Sequence, residues 1–159
     1  MYFKLKMTPP TATAQQKGEM IIGGRIHHYK KRNVAAAEAI LRDALLPYVP
    51  KEPITDKPIQ LWVIWEFPYP KSAKKHQPGY GRWKITRPDT DNLNKMLKDV
   101  MTDMGFWKDD ALICSEIVEK LYADEPGIMI HIGALDPDLL APPEGDDIGG
   151  YDRSVYPVC

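Results

Sequence analysis

The sequence predicts an α/β fold of the α+β kind, a four-stranded sheet packed with two main helices, and three observations carry that prediction. Two segments repeat apolar residues at three and four positions, the spacing that lines one face of a helix. Four others are short and rich in Val, Ile, Trp, Tyr and Phe, or alternate at period two, as strands do. Proline and glycine fall between these segments and set their ends. At 159 residues and 43% hydrophobic, the chain suits one domain with a real core.

The elements follow in order. Tyr2 to Met7 alternates apolar and basic side chains, a half-buried strand broken by Thr8-Pro9-Pro10. Met20 to Tyr29 reads as a hairpin, because Gly23-Gly24 supplies the positive φ angles of a two-residue turn. From Arg32 to Tyr48, Val34, Ala37, Ile40, Leu41, Ala44 and Leu45 form a helical stripe, closed by Pro47 and Pro50. Ile59 to Phe67 has no internal proline or glycine and predicts a central strand, ended by Pro68 and Pro70. Lys71 to Arg87 holds Pro78, Gly79 and Gly81 without a sustained period and reads as an exposed loop. A second helix follows, with Leu93, Met96, Leu97, Val100, Met101 and Met104 on one stripe and Gly105 placed to cap it. Ala111 to Tyr122 and Gly127 to Ile132 then predict two strands joined by the Asp124-Glu125-Pro126-Gly127 turn. No internal repeat is present.

Residues 1–135 are expected to form the domain. Residues 136–159, dominated by proline, glycine and acid, are expected to be a flexible tail that cannot bury enough apolar surface to order itself. The longest apolar run, Leu61 to Ile64 with Trp65, is far short of the roughly 18 residues a membrane helix needs. The start of the chain lacks the apolar core and cleavage site of a secretory signal. Two cysteines, Cys114 and Cys159, make neither a disulfide framework nor a zinc site. A cytoplasmic protein is the expectation.

The formal net charge of −1 hides an asymmetry. Six acids and one base of the chain's 22 and 21 lie in residues 136–159, which leaves 16 acids and 20 bases in the body. Within it, Lys71, Lys74, Lys75, Arg82, Lys84 and Arg87 occur with no acid among them, a local field suited to a polyanion such as DNA. A solvated surface loop is the plain alternative. Tyr80 and Trp83, interleaved with Arg82, can stack on unpaired bases or pack beneath their own loop.

The chemistry centres on Arg87-Pro88-Asp89-Thr90-Asp91-Asn92, two carboxylates at the start of the second helix. Either alone reads as an ordinary cap, since carboxylates suit unpaired N–H groups and the helix dipole. Lys95 lies one turn after Asp91, away from the apolar stripe, and an Asp–Lys pair at that spacing is usually a weak exposed ion pair. Asp109 and Asp110 follow the helix. If Asp110 converges on Asp89 and Asp91, the three would repel one another unless a divalent cation were bound, and such oxygens are what magnesium prefers. Spacing alone does not establish that convergence. A calcium EF-hand loop is excluded, because its sixth and twelfth positions would be Asn94 and Val100 instead of Gly and Glu. An aspartyl phosphotransferase is disfavoured by the polar, short Trp83 to Pro88 segment. His27, His28, His76 and His131 show no metal-ligand spacing and receive no role.

The run Asp89-Thr90-Asp91-Asn92-Leu93-Asn94-Lys95, followed by Gly105 and Asp109-Asp110, resembles the RusA-type Holliday junction resolvases, the crossover junction endodeoxyribonucleases. Their signature is Asp-x-Asp-Asn-Leu-x-Lys, a short helix, Gly and a double Asp, and the likeness covers about residues 59–132. It implies magnesium held by Asp89, Asp91 and Asp110, an essential Lys95, a homodimer built on a mixed sheet and helices, and symmetric nicking of branched DNA. The basic insert from Lys71 to Trp83 and the acidic tail depart from that pattern. Two rivals remain: a DNA-binding protein of the same fold that does not cut, and an interaction module whose acidic tail binds a basic partner.

Overall fold

The computed structural model describes residues 1–12, 17–71 and 81–136. Its strands are β1 (Tyr2–Leu5), β2 (Lys17–Ile22), β3 (Arg25–Lys30), β4 (Ile59–Pro68), β5 (Arg82–Trp83), β6 (Ile113–Ala123) and β7 (Gly127–Ala134). Its helices are α1 (Arg32–Leu45) and α2 (Thr90–Asp103), with 3-10 turns at Leu46–Tyr48 and Asp110–Leu112. Five strands form one mixed sheet in the order β1-β7-β4-β6-β5. Only the β4–β6 pair is parallel, and α2 lies in the connection between those two strands, since parallel neighbours need a crossover.

The sheet therefore has one strand more than the four expected. The addition, β5, is a two-residue edge pairing Arg82 with Tyr122 and Trp83 with Leu121. It falls in the stretch read as loop, because two residues carry no period and only the neighbouring β6 makes them a strand. The expected hairpin is present as a separate two-stranded sheet. Gly23 and Gly24 have φ of 58° and 76°, and Ile22 pairs with Arg25 across them, the backbone a two-residue turn requires.

β4 alternates without a break. Ile59, Leu61, Val63, Trp65 and Phe67 are buried and the residues between them are half-buried, apart from Pro68 at the end. The buried face meets Val34, Ala37, Leu41 and Leu45 of α1 and Leu93, Met96, Leu97, Val100 and Met101 of α2 in one core. The two stripes read from the sequence are thus the faces that close over the sheet. Ile128, Ile130 and Ile132 of β7 and Phe3 and Leu5 of β1 extend that core toward the other edge.

α2 ends at a Schellman cap. Gly105 takes φ of 83°, its N–H donates to Thr102 O, and the Phe106 N–H donates to Met101 O. Phe106 and Trp107 are then driven into the core. Ile54 bridges to this corner through bonds to Phe106 O and from Lys108 N. Two strands and one helix are shorter than expected. β1 stops at Leu5, α1 gives way to a 3-10 turn where Pro47 enters, and β6 begins at Ile113 because residues 110–112 form a capped turn first. Among the described residues no helix is long and apolar enough to cross a membrane. The tail beyond Asp136 lies outside the described residues.

Candidate active site

The segment from Lys84 to Pro88 delivers the chain from β5 to the start of α2, and two lysines hold it. Lys84 is turned inward, only 8% exposed. Its ammonium donates to Thr86 Oγ1 and, at 2.7 Å, to Arg87 O. It also lies over the rings of Phe67 and Tyr122, at 5.1 and 5.3 Å from their centres. Lys120 of β6 donates to Thr86 O at 2.9 Å and to Pro88 O at 2.7 Å. The main chain adds a bond from Lys84 N to Lys120 O. Three successive carbonyls, in a turn with a cis Arg87–Pro88 peptide, thus receive ammonium donors. The Tyr122 hydroxyl lies 3.1 Å from Thr86 Oγ1. That hydrogen bond, aided by the charges of Lys84 and Arg82, holds the phenol below its ordinary pKa.

This clamp sets Asp89 at the N-cap of α2. Its backbone is extended and its carbonyl accepts the first helical bond, from Leu93 N. Its side chain makes no cap hydrogen bond. Asp91 lies in the first turn, and both residues are exposed. The capping explanation open to these aspartates is therefore not realised at Asp89. Two carboxylates instead stand at the positive end of the helix dipole. Lys95 is exposed on the same helix and pairs with Asp99 at 3.7 Å, one turn on, instead of reaching back to Asp91. An exposed pair of that length holds the ammonium only weakly.

The Asp109-Asp110 pair divides its labour. Asp109 Oδ1 accepts from Ala111 N at 2.8 Å and caps the 3-10 turn. Asp110 is the exposed first residue of that turn, which packs against α2. Among the described residues, however, no group of three or more His, Cys, Asp or Glu side chains is gathered closely enough to hold a metal ion. The fold brings Asp89 and Asp91 together at one helix end and Asp110 to the same helix, without closing the three into a cluster.

Sequence reasoning missed the residues beneath this surface. Asn94 is almost fully buried and donates to Glu116 of β6, and Lys98 pairs with the other oxygen of Glu116 at 3.0 Å. Glu116, Lys120 and Tyr122 lie at even spacing on one strand and so share a face. That polar period was the available signal. Of the six basic residues singled out, Lys71, Arg82 and Arg87 are exposed. Lys74 and Lys75 lie outside the described residues. Lys84 differs from the expectation of a direct DNA contact, because its ammonium faces inward and supports the turn.

A family profile described as endodeoxyribonuclease RusA matches residues 8–133, from just after β1 nearly to the end of β7. The chain is also 31% identical over 130 residues to a protein named crossover junction endodeoxyribonuclease rusA from Lactococcus phage r1t, covering 82% of this chain and 95% of that one. The chain belongs to the RusA endodeoxyribonuclease family. The matched span contains the clamp, both helices and the whole candidate site. A RusA endonuclease acts on a phosphodiester backbone, and the site suits that in the chemistry of its donors. Asp89, Asp91 and Asp110 offer carboxylate oxygens, and Oδ1 of Asn92, next to Asp91, is buried with no hydrogen-bond partner. Oxygen donors of this kind suit a hard divalent cation better than a soft metal that favours sulfur or imidazole.

Proposed function

We propose that this chain is a magnesium-dependent Holliday junction resolvase that hydrolyses phosphodiester bonds in paired strands of a four-way DNA junction, working as a homodimer in the cytoplasm. The observation that carries the reading is the pair of exposed aspartates at the head of α2, where Asp89 occupies the cap position yet makes no cap hydrogen bond. Membership of the RusA family and likeness to a crossover junction endodeoxyribonuclease supply the substrate class.

In this reading Asp89, Asp91 and Asp110 would hold the cation. When bound, it supplies positive charge against the phosphate oxygens and makes its water a better nucleophile. The chain's own residues do the rest. The clamp of Lys84 and Lys120 fixes the backbone entering Asp89, which limits how far that residue can stray from the site. Lys95 offers an ammonium to the scissile phosphate and to charge on the leaving oxygen. Lys71, Arg82 and Arg87 hold backbone phosphates, a contribution blind to sequence and weakened by salt; Lys74 and Lys75 join them in this reading. Two sites related by a two-fold axis meet the two strands to be cut, so junction selectivity comes from geometry instead of base contacts with sequence. Residues 1–135 carry the nuclease and residues 136–159 are dispensable for cutting.

The test is cleavage of a synthetic four-way junction and a linear duplex, in magnesium and in EDTA, by wild type and Asp91→Asn. Magnesium-dependent nicking of the junction, lost by at least about 100-fold in the variant, is expected. Junction binding without cutting in magnesium would instead make this a DNA-binding relative of the nucleases. A chain truncated after Leu135 should cut as wild type does; loss of cutting would give the acidic tail a role in the reaction.

A further inference from the structure

The segment from Arg82 to Pro88 is inside out. Lys84 is 8% exposed, while its neighbours Trp83 and Ile85 are 64% and 92% exposed. A shift of one residue would put Trp83 or Ile85 in the buried position and return the lysine to water, since side chains alternate along an extended chain. The segment is held against that shift by the pairing of Trp83 with Leu121, by the bond from Lys84 N to Lys120 O, and by the anchored ammonium of Lys84. The exposure of Trp83 and Ile85 is thus imposed by bonds on both sides. A large indole and an isoleucine kept in water beside a functional segment mark a contact surface.

The surroundings choose the occupant. Arg82 and Arg87 are exposed on either side of the pair, no acid lies between residues 82 and 88, and Asp89 follows at once. A partner must therefore bring flat apolar faces together with negative charge. Nucleobases on a phosphate backbone have both.

Resting on the reading of the site as a branched-DNA nuclease, we propose that Trp83 and Ile85 form a wedge that packs against unstacked bases at the branch point and confers preference for a junction over duplex. In a continuous duplex each base is stacked on both sides and offers no face to an indole. At a branch, stacking is interrupted, and the faces become accessible without first paying the cost of opening a helix. Arg82 and Arg87 hold phosphates in either substrate. The apolar pair therefore adds a base-stacking contribution to the discrimination that the two-fold geometry provides.

The experiment uses the full chain as wild type, Trp83→Ala/Ile85→Ser and Trp83→Phe, with a four-way junction carrying 2-aminopurine at the branch point and a linear duplex of the same sequence. Binding is measured in EDTA, so it is read whether or not the protein cuts. The double variant alters only exposed side chains and should keep the wild-type circular dichroism spectrum and urea midpoint. Its junction affinity should fall about ten-fold, the scale of one lost base–aromatic stack, with duplex affinity changed less than about two-fold and the 2-aminopurine change on binding lost. Trp83→Phe, which keeps a flat ring, should retain most of the junction preference. An equal fall for junction and duplex would overturn the wedge, and so would an unchanged ratio. Wild-type affinity for both substrates alike would do the same. Conversion of a dimer to a monomer by the double substitution would show that a second copy covers the pair, again overturning it. Should wild type prefer the junction in EDTA yet fail to cut it in magnesium, the proposed catalysis fails while the wedge stands.

Discussion

Replacing Lys84 by methionine separates two jobs that a basic residue near a nuclease site can do. Methionine keeps most of the aliphatic stem and removes the charge. The ammonium now donates to Thr86 Oγ1 and Arg87 O and lies over two rings. Hydrogen bonds to a charged group contribute about 1.5–3 kcal/mol each, and a desolvated cation–π contact adds up to ~2 kcal/mol. Against this stands the cost of burying an ammonium that no carboxylate pairs among the described residues, several kcal/mol, which methionine relieves. Thr86 Oγ1 retains Tyr122 as a partner and Thr86 O retains Lys120, so Arg87 O alone loses its donor. The expected net loss is about 1 kcal/mol, the low end for a polar group that loses its partner, because Arg87 is exposed and its bond from Lys84 only part-buried. Urea unfolding reads it as a lower midpoint at unchanged slope. Because the loosened turn leads into Asp89, the magnesium concentration for half-maximal junction cleavage should also rise. The salt dependence of junction binding should stay as in wild type, whereas Arg82→Ala should shallow the log–log slope by about one. A Lys84→Met protein of wild-type stability whose salt slope falls by one would refute the clamp and make Lys84 a phosphate contact.

Two further outcomes follow from the same geometry. Asp109→Ala removes the cap at Ala111 N and should cost about 1 kcal/mol of stability while leaving cleavage within a few-fold of wild type. Asp110→Asn should do the reverse, and matched losses of activity in the two would end the division of labour between them. Tyr122 titrates below its ordinary value because of its bond to Thr86 and the nearby cations. For an acid so depressed, the linked stability is present above the unfolded value near 10 and is lost as pH falls through the folded value, so it adds nothing at neutral pH. The 295 nm absorbance of wild type minus Tyr122→Phe should show one phenol ionising below that value. A difference titrating at 10 or above would contradict the assigned hydrogen bond.

The elements legible in the sequence were those whose cause is local. α2 was readable from its stripe and from Gly105, since a positive φ after a periodic run marks a helix end. The β2–β3 hairpin was readable from Gly23-Gly24 for the same reason, and β4 from its composition. β5 was not, because a two-residue strand exists only through its neighbour. The aspartates at 89 and 91 were visible as a pattern, but whether they served as caps was not. The burial of Lys84 was unreadable too, since it depends on which face of the segment β6 engages.

Taken alone, then, the sequence determined the helices, the main strands, the placing of two aspartates at a helix head and the family signature, because backbone preference and apolar period act within a few residues. Only the tertiary structure decided that Lys84 and Lys120 grip the turn before Asp89, that Asp109 caps while Asp110 faces water, and that Trp83 and Ile85 point outward. Each of those outcomes rests on cross-strand register and on hydrogen bonds between segments 30 or so residues apart. One residue of slip reverses every side chain along a strand, and nothing local to the segment specifies it.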